Sequence, residues 1–170
     1  MEIRIAGLAN DSIVDGPGLR FTVFTQGCFH NCEGCHNPST HDPNGGKLVK
    51  VDDLIMQMRD NPLLDGLTIS GGEPFLQSMA CTELARAAHN LGLTVWVYTG
   101  FTYEQLIEGI RYSPEYEDLL DQTDVLIDGP FILKQRSLEV PFRGSSNQRL
   151  IDVKLTKQNG KVMLYGRINQ

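Results

Sequence analysis

Leu67-Thr68-Ile69-Ser70-Gly71-Gly72-Glu73-Pro74 is the segment on which the fold turns. Its first three residues are apolar or β-branched and with Ser70 read as a short strand, which Gly71-Gly72 then breaks as a turn. Downstream, Ser78 to Leu91 has helical spacing and stops at Gly92. The same unit recurs on both sides. Phe21 to Thr25, Thr94 to Tyr98 and Asp124 to Asp128 read as strands, with Leu150 to Val153 and Lys161 to Tyr165 as later candidates. Val51 to Arg59 and Tyr103 to Arg111 read as helices, the second with Thr102 as its N-cap. Such alternation predicts an α/β fold with a parallel sheet and crossover helices. The 170 residues fall short of the roughly 200 or more of a complete eightfold barrel, so the expectation is a partial (incomplete) parallel β/α barrel, a single domain over 1–170.

In a parallel sheet the loops that follow the strands emerge at one edge, where ligands bind in open α/β folds and barrels. Cys28 to Cys35 follow the first strand, Gly71 to Pro74 the second, Thr99-Gly100 the third and Gly129-Pro130 the fourth. Four distant segments are therefore expected to meet at one site. The loop from Gln26 to Lys47 is long for a compact domain, as functional loops often are.

Composition narrows the function classes. With 15 basic against 21 acidic residues the net charge is -6, which supplies no field for a phosphate backbone, so no nucleic-acid partner is expected. No stretch reaches the roughly 18 apolar residues of a membrane helix, and the first residues lack the apolar core of a signal peptide. No membrane partner and a cytoplasmic location are the corresponding expectations. Three of the four cysteines crowd into eight residues, a spacing suited to metal binding or redox work in a reducing compartment and not to a disulfide framework.

That array, Cys28-x3-Cys32-x2-Cys35, has three readings by residue chemistry. Three thiolates can hold three irons of a 4Fe-4S cluster and leave the fourth iron open. With His36 or His30 they can close a structural Cys3His zinc site in a non-enzymatic interaction domain. Cys32 and Cys35 can also form a redox dithiol, which leaves Cys28 without a role. Gly71 to Pro74 taken alone is a strand-to-helix turn.

Taken together, the two motifs resemble those of the radical S-adenosylmethionine (SAM) superfamily, whose cluster motif is Cys-x3-Cys-x2-Cys and whose SAM-binding turn is Gly-Gly-Glu-Pro. The resemblance implies a partial barrel of the radical SAM type, with a 4Fe-4S cluster on Cys28, Cys32 and Cys35 and SAM as cofactors. It further implies that Gly71 and Gly72 let the backbone approach the methionine end of SAM, that Glu73 places negative charge beside its ammonium, and that Gly34 and His36 flank the adenine. Superfamily members commonly carry an aromatic residue just before the third cysteine. Gly34 stands there in this chain and cannot stack.

Asp15-Gly16-Pro17-Gly18-Leu19-Arg20 resembles the signature of glycyl-radical-enzyme activases, although by composition it is a Gly-Pro turn. Val125 to Phe131 and Arg143 to Arg149 look like the activating proteins of anaerobic ribonucleoside-triphosphate reductase, and the second ferredoxin-like cysteine set of longer activases is absent. The resemblance implies a radical SAM oxidoreductase that removes a hydrogen from one glycine of a separate reductase chain, fed by a one-electron donor protein. An activase of another glycyl-radical enzyme, or a small-molecule radical SAM enzyme such as a deazapurine synthase, is the nearest alternative. Asp128, at the carboxyl end of a strand, is a candidate site residue or a turn cap. Cys81 and Trp96 read as core, His89 as helix surface and His41 as a plain loop residue.

Overall fold

The computed structural model describes residues 1–166; residues 167–170 of the expected domain lie outside the described residues. Strand β1 (Glu2–Ser12) buries Ile3 and Ile5 and pairs antiparallel with β2 (Arg20–Thr25). β3 (Lys47–Lys50) returns along the other side of β1, also antiparallel, with Lys50 opposite Glu2. Helix α1 (Val51–Asp60) buries Val51, Leu54 and Met58, spaced three and four apart. It carries Asp52 and Asp53 in its first turn and Arg59 in its last, each charge matched to the helix dipole.

Next come β4 (Gly66–Gly71), α2 (Ser78–Asn90) and β5 (Thr94–Tyr98), then α3 (Tyr103–Gly109), α4 (Glu115–Asp121) and β6 (Val125–Asp128). β2, β4, β5 and β6 run parallel. β7 (Arg149–Asp152) reverses direction against β6, and α5 (Val153–Asn159) ends at Gly160 in the left-handed region, φ 67°. The sheet order is β3-β1-β2-β4-β5-β6-β7, an open sheet with a parallel centre and antiparallel margins. This is the expected α/β class and incomplete barrel.

Every helix contributes to the larger core, which packs on one face of the sheet: Leu54 of α1, Leu84 of α2, Leu106 of α3, Leu119 of α4 and Val153 of α5 meet Val23, Ile69 and Val97. Strand alternation sends Trp96, Val125, Ile127 and Leu150 to the opposite face, where Tyr98 and Phe142 pack against them. Arg20 is fully buried and, among the described residues, pairs with no carboxylate. Its guanidinium donates to Thr68 Oγ1, Thr94 Oγ1 and the carbonyls of Pro17, Leu67 and Thr94, and it lies 5.5 Å from the centre of the Trp96 ring. Gly16 and Gly66 make room for it, since a Cβ at Gly66 would stand 2.2 Å from Nη1. The activase-like run at 15–20 is thus an Arg staple across three strands.

β1, β3, α4 and α5 are elements that the sequence pattern does not announce. Lys161 to Tyr165 forms no strand, only a bridge from Leu164 to Ile151. Leu150 to Val153 splits between an antiparallel strand and the first residue of α5.

Candidate active site

The carboxyl ends of β2, β4, β5 and β6 open onto one cleft of about 930 Å³, counting its open mouth. Cys28, Cys32 and Cys35 line it from the first loop, Gly71 and Gly72 from the second, Thr99 and Gly100 from the third and Gly129 from the fourth. The reversed β7 adds a fifth segment, because its leading loop arrives at this same edge with Gly144 and Gln148.

Backbone bonds set the cysteine loop. Gly27 N donates to Thr40 O at 2.8 Å and Cys28 N to His41 O at 3.1 Å, and Gln26 Nε2 reaches the carbonyls of Ser39 and Asp42. Asn31 and Gly34 take positive φ of 50° and 72°, which fold the eight-residue span back on itself and bring Cys35 N to Cys32 O at 3.2 Å. All three thiols are half-buried, and burial pushes the Cys28 thiol up despite a hydrogen bond from the His30 backbone. Cys81 is fully buried against the Pro74 carbonyl, and its thiol is pushed far up by burial.

Gly71 and Gly72 have a structural reason of their own. Gly71 has φ 93°, and a Cβ there would meet Thr25 N at 2.4 Å; a Cβ on Gly72 would meet Gly27 O at 2.3 Å. The turn therefore lies directly on the backbone that leads into Cys28. Gly72 N donates to Thr25 O at 2.7 Å and Glu73 N to Gly27 O at 2.8 Å.

Glu73 does not line the cleft. Its side chain is 1% exposed and accepts four donors: Phe75 N at 3.0 Å, Thr99 Oγ1 at 2.9 Å, Gly100 N at 3.0 Å and His30 Nε2 at 2.5 Å. The carboxylate expected beside the SAM ammonium is a hub beneath three loops. Gly34 packs on Leu133, while His36 lines the cleft and tilts onto Phe131, with ring centres 4.9 Å apart. Asp128 is 1% exposed, accepts from Tyr103 N at the start of α3 and pairs with Arg149 at 2.5 Å, so it closes an internal bridge and does not face the cleft. His41, read as a plain loop residue, lines the cleft, as do Tyr98 and Phe131. Arg149 pairs also with Glu104, and Gln148 ties the loop 143–148 to the Gly129 carbonyl at 3.0 Å.

Residues 14–151 match the family described as 4Fe-4S single cluster domain. The chain is 32% identical over 145 residues to the anaerobic ribonucleoside-triphosphate reductase-activating protein of Escherichia coli (strain K12), a match spanning 80% of this chain and 90% of that one. This chain belongs to the radical SAM activase family. The activase is also 33% identical over 144 residues to the protein of the same name from Vibrio cholerae, covering 80% of this chain and 89% of that one. Against the pyruvate formate-lyase 1-activating enzyme of Escherichia coli (strain K12) identity is 36% over 172 residues, 95% of this chain and 65% of the other. A crystal structure of QueE from Escherichia coli superposes at a TM-score of 0.46 with 16% identity, covering 60% of the activase and 54% of QueE.

A 4Fe-4S cluster and SAM are the cofactors of the activase. The cleft fits them in donor chemistry and in room: the three thiols line it together with glycine backbone from the second, third and fourth loops. Among the described residues no three His, Cys, Asp or Glu side chains converge on a single metal ion. The zinc alternative needs His30 or His36 as fourth ligand. Of these two, His30 has its Nε2 committed to Glu73, while the His36 ring tilts onto Phe131.

Proposed function

We propose that the activase installs the glycyl radical of an anaerobic ribonucleoside-triphosphate reductase, as a single domain over 1–170 working in the cytoplasm with a one-electron donor protein. In this reading Cys28, Cys32 and Cys35 would hold the cluster. Bound there, the reduced cluster and SAM would supply the one-electron, hydrogen-abstracting chemistry that leaves a radical on a glycine α-carbon of the partner. The protein's share is binding, orientation and exclusion. Gly71 and Gly72 offer SAM a surface without side chains, and His36 with Phe131 gives its adenine a stacking wall. The open mouth of the cleft admits a loop of another chain.

What supports this target is that two relatives, 32% and 33% identical over 145 and 144 residues, are reductase-activating proteins; another relative is the pyruvate formate-lyase activating enzyme. The higher identity to the latter, 36% against 32%, favours pyruvate formate-lyase as a second reading. The test mixes the activase anaerobically with each candidate partner, SAM and a strong one-electron reductant. The expected result is a glycyl doublet by electron paramagnetic resonance in the reductase, with deuterium from its glycine α-carbon recovered in 5′-deoxyadenosine. A doublet in pyruvate formate-lyase alone moves the target there, and deoxyadenosine without label in either partner overturns the activase assignment to both.

A further inference from the structure

Between Cys28 and Cys32 stands a side chain that the chemistry above does not use. His30 lines the cleft beside the thiols, and its Nε2 meets Glu73 Oε2 at 2.5 Å, with the ring 19% exposed and the carboxylate 1%. The ring stands edge-on to Phe101, 4.6 Å between centres. Gly100 leaves the space for it, since a Cβ there would lie 2.4 Å from His30 Cδ2. The Glu73 carboxylate is otherwise satisfied by donors from the turns after β4 and β5, namely Phe75 N, Thr99 Oγ1 and Gly100 N. His30 is therefore the side chain through which the cysteine loop joins a buried hub already fixed to the Gly71-Gly72 turn.

We infer that His30 is a positioning residue: through Glu73 it sets the register between the cysteine loop and the Gly71-Gly72 turn, and so between the two halves of the SAM site. The inference rests on the proposed cluster and SAM sites. A buried carboxylate deprived of one donor loses a charge-assisted hydrogen bond, and the loop that carried the donor is freed to shift. Displacements of about 1 Å at a site that must hold two groups together cost far more in productive binding than in retention of either group.

Three variants, each checked for native far-UV circular dichroism, test it. His30→Ala removes the donor. His30→Gln keeps an N–H donor at similar reach. Gly100→Ala leaves both partners intact and drives a methyl group into the ring. Anaerobic reconstitution, SAM titration and the paramagnetic resonance spectrum of the reduced cluster with and without SAM are the readouts. His30→Ala and Gly100→Ala are expected to keep their iron, to bind SAM about tenfold or more weakly, and to lose the SAM-induced change in the spectrum, with His30→Gln restored to within about threefold of wild type. SAM affinity and spectra equal to wild type in His30→Ala overturn the inference. So does loss of iron from His30→Ala and His30→Gln alike, which would make His30 a residue of cluster retention. A wild-type protein that takes up no iron overturns the functional reading, and this inference with it.

Discussion

Arg20 shows how one residue can be expensive to bury and still be structural. Burial lowers its guanidinium to about 10, so it remains charged at neutral pH, and its donors are met by hydroxyls and carbonyls from β4, β5 and the loop before β2. Lysine keeps the charge but cannot reproduce this planar fork. Arg20→Lys is therefore expected to lower unfolding free energy by about 3 kcal/mol, the order found when a buried charge loses its partners, measured by urea titration. A loss within about 0.5 kcal/mol, as at an ordinary surface site, would refute the staple. The cysteines divide at the same scale. Ala at Cys28, Cys32 or Cys35 is expected to abolish the iron-sulfur absorbance, and Cys81→Ala to retain it at a cost of about 1 kcal/mol in stability. Retained absorbance in any of the three loop variants, or its loss in Cys81→Ala, would reassign the ligands.

Elements differ in how far local sequence determines them. α2 and α3 were legible because spacing and capping are local: Thr102 accepts from Gln105 N while Gln105 reaches back to Thr102 N, a complete capping box. α4 is as short as α3 but has no side-chain cap to mark its start, and α5, equally short, begins at Val153 inside a run that reads as a strand. β1 was hidden because only its first half alternates; beyond Ile5 it bulges against β2 and is largely half-exposed. The cleft was legible as a meeting of loops because parallel topology alone puts them at one edge. The work of Glu73, Asp128 and His30 was not, since each acts on partners tens of residues away. The bridge from α3 to β7 carries its own expectation. The hydrogen bond from Arg149 holds the Glu104 carboxyl below its ordinary 4.5, so its contribution is present above that pH and fades as pH falls through the lower folded value. Glu104 is 61% exposed, so the effect is screened to about 0.5 kcal/mol or less. Glu104→Gln should flatten that part of the acid stability curve, and an unchanged curve would show the bridge to be inert.

At the scale of the molecule the larger core and the cleft occupy different places, one between helices and sheet, the other beyond the strand ends. Stripping iron with a chelator under anaerobic conditions is therefore expected to leave the far-UV circular dichroism and the cooperative melt in place while exposing the 26–46 loop to protease. Collapse of the helical signal on iron removal would show the cluster to be holding the fold together. β7 adds a different consequence. Because it runs against its neighbour, the stretch that borders the cleft comes before the strand, attached to no crossover helix. That wall is carried by a connection between two strands: segment 129–149 brings Phe131, Gly144 and Gln148 to the cleft with no crossover helix behind them.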